Sequence, residues 1–200
     1  MPLESFAVAE PQPSVLGVLR ARTRALHDQV ESGVDLGRAL ASREGYRQML
    51  EGYLSLYRTF EVALTGAPAA VRELAMYPQR ARVPLLEGDL RALGVSEAEV
   101  AAVPAATELP DLAKPDAILG ALYVIEGSQL GGQVIYREIQ DKLQLDQQHG
   151  AAFFFGDGEN TSRQWKRFLA GLEEQVCDPD AAADAAAGMF RYFEIGLSKK

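Results

Sequence analysis

The chain has 200 residues, of which 20 are basic and 28 acidic, so its formal net charge is −8. This length suits one domain with a sizeable core, and the negative charge argues against a protein built to bind nucleic acid or an anionic membrane. With a single cysteine, Cys177, no intrachain disulfide can form, and because neither a signal peptide nor a membrane-spanning apolar run is visible, we expect a soluble cytoplasmic protein.

The first thirteen residues carry three prolines and little hydrophobic periodicity, so we expect 1–13 to be a flexible N-terminal tail. The remainder, 14–200, is expected to form one domain. Its first helix should begin near Ser14, whose hydroxyl can cap the unpaired backbone N–H groups. Leucines then recur at helical spacing as far as Gly33, where the helix is expected to end.

Further amphipathic segments follow, and no stretch alternates convincingly like a β-strand, which predicts an all-α fold. Ser96 and Glu99 form a capping box at the start of one short helix. Residues 145–160 contain several glycines and are expected to be a loop. The other predicted helices cover residues 42–65, 68–77, 84–93, 116–143, 161–177 and 180–197.

Candidate metal ligands are scarce in this sequence. The only histidines are His27 and His149, and we expect His149, in a polar loop, to be solvated. With one cysteine, a structural zinc site would need ligands from another subunit. No phosphate-binding loop, dinucleotide-binding motif or nucleophile elbow is present, so nucleotide and acyl-transfer chemistry lack their usual residues. A single histidine on a helix is nevertheless enough to ligate a haem.

His27 lies at the edge of the apolar stripe of the first helix. Glu31, one turn later on the same face, could accept a hydrogen bond from one ring nitrogen and leave the other for a metal. Arg20 lies two turns before His27, about 10 Å along the axis, which is close to the distance from a haem centre to its propionates. The alternative is a buried histidine–glutamate pair that only stabilises the fold, and the spacing alone favours it.

Three glycines fall close together in the predicted helix 116–143, at Gly127, Gly131 and Gly132. Glycine costs about 1 kcal/mol relative to alanine inside a helix, so another interaction must offset this loss. Gly127 and Gly131 lie one turn apart and clear one face, either for a planar ligand or for a neighbouring backbone. The sequence supports these two alternatives equally.

A cluster of cations, Arg163, Lys166 and Arg167, surrounds Trp165 at the start of a late helix. It follows a run of phenylalanines at 153–155. Cations beside an aromatic wall suit an amphipathic ligand with carboxylates at one edge. For each cation taken singly, an ordinary solvated helix face is the favoured alternative.

Together these segments resemble the haem oxygenase family over about residues 14–195. Residues 19–31 are similar to the family's proximal helix, with His27 at the position of the iron ligand and Arg20 directed toward the propionates. The remaining resemblance lies in residues 42–50 (the opening of the second helix), residues 122–134 (the distal helix of bacterial members linked to bilin production), and residues 150–155 with Trp165 and Lys166 (a later segment that supplies a propionate contact).

The resemblance implies an all-α, single-domain bundle in which haem b, both cofactor and substrate, lies between the proximal helix and a glycine-kinked distal helix. It implies oxidative opening of haem to biliverdin, carbon monoxide and ferrous iron with O2. It further implies an external ferredoxin or reductase as electron donor, with a bilin-accepting photoreceptor as a candidate partner. The implied site residues are His27 for iron; Arg20, Glu31, Tyr123 and Lys166 for haem binding; and Gly127, Ser128, Gly131, Gly132 and Tyr57 for catalysis on the distal side.

Ser128 departs from the family pattern. Many members carry an aspartate directly after the first distal glycine, where it organises water, whereas serine has a neutral and shorter side chain. Tyr57, which resembles a distal tyrosine of the second helix, is a candidate to compensate. Two alternatives therefore stay open: a non-catalytic haem carrier or sensor on the same fold, and a helical interaction protein whose glycines only pack helices.

Overall fold

The structure, a computed structural model, describes residues 14–33 and 35–198, and the predicted tail 1–13 lies outside them. All regular secondary structure in the described part of the chain is helical, which confirms the all-α prediction. The elements in chain order are α1 (Val15–Gly33), α2 (Leu36–Ala39), α3 (Arg43–Thr65), α4 (Ala69–Leu74), α5 (Val83–Ala92), α6 (Glu97–Ala102), α7 (Pro115–Leu143), α8 (Ala152–Phe155), a 3₁₀ turn (Gly158–Asn160), α9 (Thr161–Gln175) and α10 (Pro179–Ser198).

Capping side chains explain where several of these helices begin. The hydroxyls of Ser14 and Ser42 each accept a hydrogen bond, 3.1 Å long, from the backbone N–H three residues later. Ser96 and Glu99 form the complete predicted capping box, with each side chain accepting from the other residue's backbone N–H. Since such a cap contributes about 1 kcal/mol and involves only neighbouring residues, these boundaries follow from local sequence.

Helix α10 packs against both α1 and α7, and its alanine-rich first half allows a close approach. A Cβ at Gly120 of α7 would lie 1.9 Å from the carbonyl oxygen of Ala182, so only glycine fits there. One turn earlier, Asp116 accepts a hydrogen bond from the backbone N–H of Cys177 at 2.8 Å, just before α10 begins. These two contacts show that α7 and α10 start together and run in the same direction.

Helix α1 also runs in the same direction as α10. Near its middle, Arg22 forms ion pairs with Asp180 and Asp184. Farther along both helices, the side-chain amide of Gln29 donates to Glu194 at 2.7 Å. Positions on α1 and α7 can therefore be compared by the level at which each meets α10.

The prediction of a loop over 145–160 was wrong in part, because α8 and a 3₁₀ turn lie within it. The buried carboxylate of Asp89 accepts the backbone N–H groups of Ala152 and Phe153, both at 2.8 Å, and so caps α8. These partners lie 63 and 64 residues apart in the chain, so local sequence could not reveal the cap. None of the described helices has the length and apolar character of a membrane span.

Candidate active site

His27 lies on an exposed part of α1 and contacts Phe190 of α10. Its side chain is 54% exposed, and its Nδ1 lies 4.0 Å from a carboxylate oxygen of Asp28. The imidazole and the Phe190 ring meet edge to face, with centroids 5.9 Å apart. The ring is thus accessible to a ligand and is not buried as the alternative of a buried histidine–glutamate pair requires, while its pairing with Glu31 rests on a side chain outside the described part of the chain.

The glycine segment of α7 lies at the same level of the bundle as His27. Phe190, which contacts His27, lies eight residues beyond Ala182 on α10, or about 12 Å along the axis. Residues 127–131 lie seven to eleven residues beyond Gly120 on α7, or about 10 to 16 Å. The two helices α7 and α10 start together at the contact of Gly120 with Ala182. These similar distances along them therefore place His27 and the glycines at the same level of the bundle, on different helices.

One face of α7 at this level is apolar and open. Leu130 is 37% exposed and Val134 is 59% exposed. A Cβ at Gly131 would have no described neighbour within 4 Å beyond its own stretch of helix. Such a face, made of aliphatic side chains and bare backbone, fits one surface of a flat apolar group such as a porphyrin.

The other glycines of α7 have neighbours, and their roles differ from that of Gly131. A Cβ at Gly127 would lie 3.4 Å from the indole of Trp165, and one at Gly132 would lie 3.6 Å from the carbonyl oxygen of Phe154. Both distances are ordinary contacts. The packing alternative therefore describes Gly120 and, at ordinary contact distances, Gly127 and Gly132, whereas Gly131 faces outward.

Two hydroxyl groups approach each other beside this face. Ser128 is exposed, and its hydroxyl donates to the carbonyl oxygen of Ile125 at 2.8 Å. Tyr57 is 1% exposed, and its hydroxyl lies near Ser128 without a hydrogen bond of standard geometry to any described residue. Burial raises the pKa of Tyr57 well above its ordinary value, although Arg82 and Ser128 oppose the rise. The phenol is therefore a neutral donor at neutral pH.

A buried ion cluster lies behind the glycine segment and is formed by Arg80, Arg82, Glu126 and Asp157. The sequence did not predict this cluster. Arg80 Nη2 lies 2.8 Å from the carboxylate of Glu126 and also pairs with Asp157, which in turn lies 3.1 Å from Arg82. The two cations and two anions balance, as buried charges must. The only local signal was the position of Glu126 directly before Gly127.

The charges within this cluster respond differently to burial. Burial raises the pKa of Glu126 more than its ion pair with Arg80 lowers it. Burial also acts to raise the pKa of Asp157, but its bonds to Arg80 and Arg82 outweigh this effect and lower the pKa. Asp157 is therefore the more firmly ionised of the two carboxylates.

The structure places the residues expected to bind haem in different surroundings. Arg20 and Lys166 are exposed, as is required of cations that pair with the carboxylates of a ligand. Tyr123 is half-buried and packs its ring against Trp165, with centroids 5.5 Å apart. The side chain of Glu31 lies outside the described part of the chain, so its expected hydrogen bond to the imidazole stays a prediction.

Two further candidate residues, Arg167 and His149, interact with other residues of the protein. Arg167 donates to the backbone carbonyl groups of Glu73 and Leu74, at 3.1 and 3.2 Å, and so caps the C-terminal end of α4. His149 is exposed, as predicted, and its Nδ1 lies 2.8 Å from Asp146. Among the residues that the structure describes, no group of three or more histidine, cysteine and carboxylate side chains could hold a metal ion.

Solved structures of known proteins share this fold. The NO- and CO-bound heme oxygenase from Neisseria meningitidis superposes with a TM-score of 0.74 at 23% identity, covering 92% of this chain and 90% of that one. The heme oxygenase from Leptospira interrogans superposes with a TM-score of 0.75 at 17% identity, covering 94% of this chain and 100% of that one. At these identities the likeness establishes the architecture.

Sequence comparisons establish the family. Residues 14–195 match the family model described as Heme oxygenase. A curated relative named Heme oxygenase, from Xanthomonas campestris pv. campestris (strain 8004), is 37% identical over 166 residues, which cover 82% of this chain and 94% of that protein. Nothing in these comparisons favours a non-catalytic carrier or sensor. The chain belongs to the haem oxygenase family, and its function is the oxidative cleavage of haem.

Proposed function

We propose that this haem oxygenase converts haem b to biliverdin, carbon monoxide and ferrous iron, with the haem held between His27 of α1 and the open face of α7. The observation that carries this proposal is the placement of an exposed imidazole and a bare, apolar helix face at one level of the bundle. Haem is both cofactor and substrate, and its own iron supplies the oxygen chemistry.

On the proximal side, His27 would ligate the iron through a ring nitrogen. Its contact with Phe190 restricts the orientation of the ring, and Glu31 would select the tautomer by accepting the other ring N–H. Arg20, about 10 Å away along the helix, and Lys166 would pair with the propionates. Both are exposed cations, and their attraction would orient the haem within the site.

On the distal side, Gly131 would let the backbone of α7 approach the haem plane, while Gly127 and Gly132 would keep this part of the helix close to Trp165 and Phe154. Ser128 can both donate and accept hydrogen bonds, and the buried Tyr57 supplies a neutral donor beside it. We assign to these two hydroxyls the ordering of water that an aspartate performs in many family members. Tyr123 supports this region through its contact with Trp165, which lies over Gly127.

The electrons for the reaction must come from a separate protein, because the sequence contains no recognisable flavin or NAD motif. We propose a ferredoxin or a reductase as the donor. A photoreceptor that accepts the bilin is a candidate consumer of the product. We also retain two predictions from the sequence, the assignment of 14–200 as one haem oxygenase domain and a cytoplasmic location.

Aerobic turnover of the purified protein tests this proposal. The haem complex is mixed with a ferredoxin or reductase system and O2, the Soret band is followed, and the pigment is identified by chromatography and mass spectrometry. We expect loss of the Soret band with formation of biliverdin and release of carbon monoxide and ferrous iron. Recovery of intact haem under these conditions would instead identify a carrier.

A further inference from the structure

The α7 helix has a polar stripe next to its open face. Glu126, Gln129 and Gln133 recur at i, i+3 and i+7, which places them on one side of the helix. Glu126 and Gln129 are each 7% exposed, and the side-chain amide of Gln133 donates to the carbonyl oxygen of Phe155 at 2.7 Å. Because the open face offers few side-chain contacts, this stripe fixes the helix around the glycines.

Glu126 is the charged member of the stripe and has the most extensive set of partners. Its carboxylate pairs with Arg80 at 2.8 Å, and Arg80 is also bonded to Asp157. Asp157 in turn pairs with Arg82 at 3.1 Å. The cluster thus joins α7 to the segment between α4 and α5 and to the turn that follows α8. Three segments distant in sequence meet directly behind Gly127.

Stability alone does not explain such a cluster. The attraction within a buried ion pair is largely offset by the loss of hydration, so apolar side chains of similar volume often give equal or greater stability. Buried, hydrogen-bonded charges instead hold the segments that carry them in a single arrangement, because any displacement of one segment would leave a buried charge unpaired. Glu126 directly precedes Gly127 and Ser128, so this arrangement defines the backbone that presents the distal hydroxyl.

We propose that Glu126 is a positioning residue for haem cleavage, whose ion pair with Arg80 fixes the backbone at Gly127 and Ser128 and thereby determines which edge of the haem is opened. Glu126 acts through the helix and does not contact the haem. This inference rests on the proposed placement of haem against the open face of α7.

The test compares Glu126→Gln with wild type, because glutamine keeps the size and polarity of the side chain but removes its charge. Glu87→Gln is the matched control, since Glu87 pairs with Arg58 at 2.9 Å on other helices. In haem-free protein, we expect Glu126→Gln to speed backbone amide exchange over 125–133 by about tenfold. After turnover, we expect a mixture of biliverdin isomers where wild type gives one main isomer. Glu87→Gln should change neither measurement.

The proposal is wrong if Glu126→Gln melts earlier or reacts more slowly while its amide exchange and isomer distribution match those of wild type. If this variant does not fold, Glu126→Leu combined with Arg80→Met replaces the pair with apolar groups and leaves Asp157 paired with Arg82. A wild-type isomer distribution in that folded double variant overturns the proposal equally. The absorption spectrum of the wild-type protein mixed with haem is recorded before any variant is compared. If the wild type binds no haem, the proposed placement of haem is wrong, and this inference is wrong with it.

Discussion

The imidazole of His27 meets the ring of Phe190 edge to face, with centroids 5.9 Å apart. Helix α10 thus restricts the orientation of a side chain that is otherwise 54% exposed. A histidine held in this way can ligate a metal with little further loss of side-chain freedom.

Replacing His27 by alanine should abolish haem cleavage, because the iron would lose its proposed ligand and no other histidine lies on α1 to replace it. Added imidazole should restore part of the turnover by occupying the space of the lost side chain and ligating the iron. Turnover is measured by loss of the Soret band and by biliverdin formation. His149→Ala is the control and should react like wild type, since His149 pairs with Asp146 in an exposed loop. Unchanged turnover in the His27→Ala variant would remove His27 from the mechanism.

Gly131→Ala should stabilise the haem-free protein and weaken haem binding. A Cβ at this position meets no described atom within 4 Å beyond the neighbouring helix backbone, so the gain in helix propensity, about 0.5 to 1 kcal/mol, is retained. The same methyl group would project toward the haem. Urea denaturation measures the first effect and titration of the Soret band the second.

Gly88→Ala is the matched control for this pair of measurements. Gly88 lies inside α5, and a Cβ there likewise meets no described atom within 4 Å outside its own helix. It should give a similar gain in the free energy of unfolding with no change in haem affinity. Equal haem affinity in the Gly131→Ala variant and wild type would contradict the assignment of this face as the distal wall.

Gly120→Ala should have the opposite effect on stability. The added Cβ would lie 1.9 Å from the carbonyl oxygen of Ala182, so α7 and α10 would have to separate along their closest contact. We expect a loss of about 3 kcal/mol or more in the free energy of unfolding, at the upper end of the range for overpacking. Urea denaturation of haem-free protein measures it. A loss no larger than the helix-propensity change would show that the two helices adjust freely.

Tyr57→Phe should separate stability from activity. Removing a buried hydroxyl without a standard hydrogen bond should stabilise the haem-free protein by about 1 kcal/mol, while turnover slows because a distal donor is lost. Tyr192→Phe is the control, since its hydroxyl donates to the carbonyl oxygen of Leu56 at 3.0 Å. That variant should lose stability. Turnover at the wild-type rate in Tyr57→Phe would exclude the phenol from the reaction.

The buried carboxyl group of Asp89 should make a pH-dependent contribution to the free energy of unfolding. Burial raises the pKa of this carboxyl from 3.8 to about 6, although the N–H groups of Phe153 and Ala152 oppose the rise. The folded protein therefore holds the proton more tightly than the unfolded chain. As the pH rises from about 4 to 6, the contribution of Asp89 to the free energy of unfolding should fall, by about 3 kcal/mol at most.

Chemical denaturation of wild type and Asp89→Asn between pH 4 and pH 7 measures this contribution as a difference. The variant should be less stable overall, because the two N–H groups at the start of α8 donate to separate carboxylate oxygens and an amide replaces one of these oxygens by a donor. The difference in stability between the two proteins should nevertheless change across this pH range. A constant difference would show that Asp89 does not titrate there.

Much of the helical layout follows from neighbouring residues. Ser14, Ser42 and the pair Ser96–Glu99 cap helices through atoms within three residues of each other, and apolar periodicity marks the faces that must be buried. His27 and the glycines of α7 stand out for the same local reason, because a lone histidine on a helix and a costly run of glycines are visible without any knowledge of the fold.

The meaning of those residues depends on partners that folding brings together. Gly120 and Gly131 look alike in the sequence, yet one meets Ala182 and the other faces outward. Glu126 resembles any helical glutamate until Arg80, 46 residues earlier, lies 2.8 Å away. The local sequence determines helix caps and periodic apolar faces, because these involve residues that are close along the chain. Ion pairs, close helix contacts and open faces depend on distances across the bundle, and only the packed tertiary structure sets those distances.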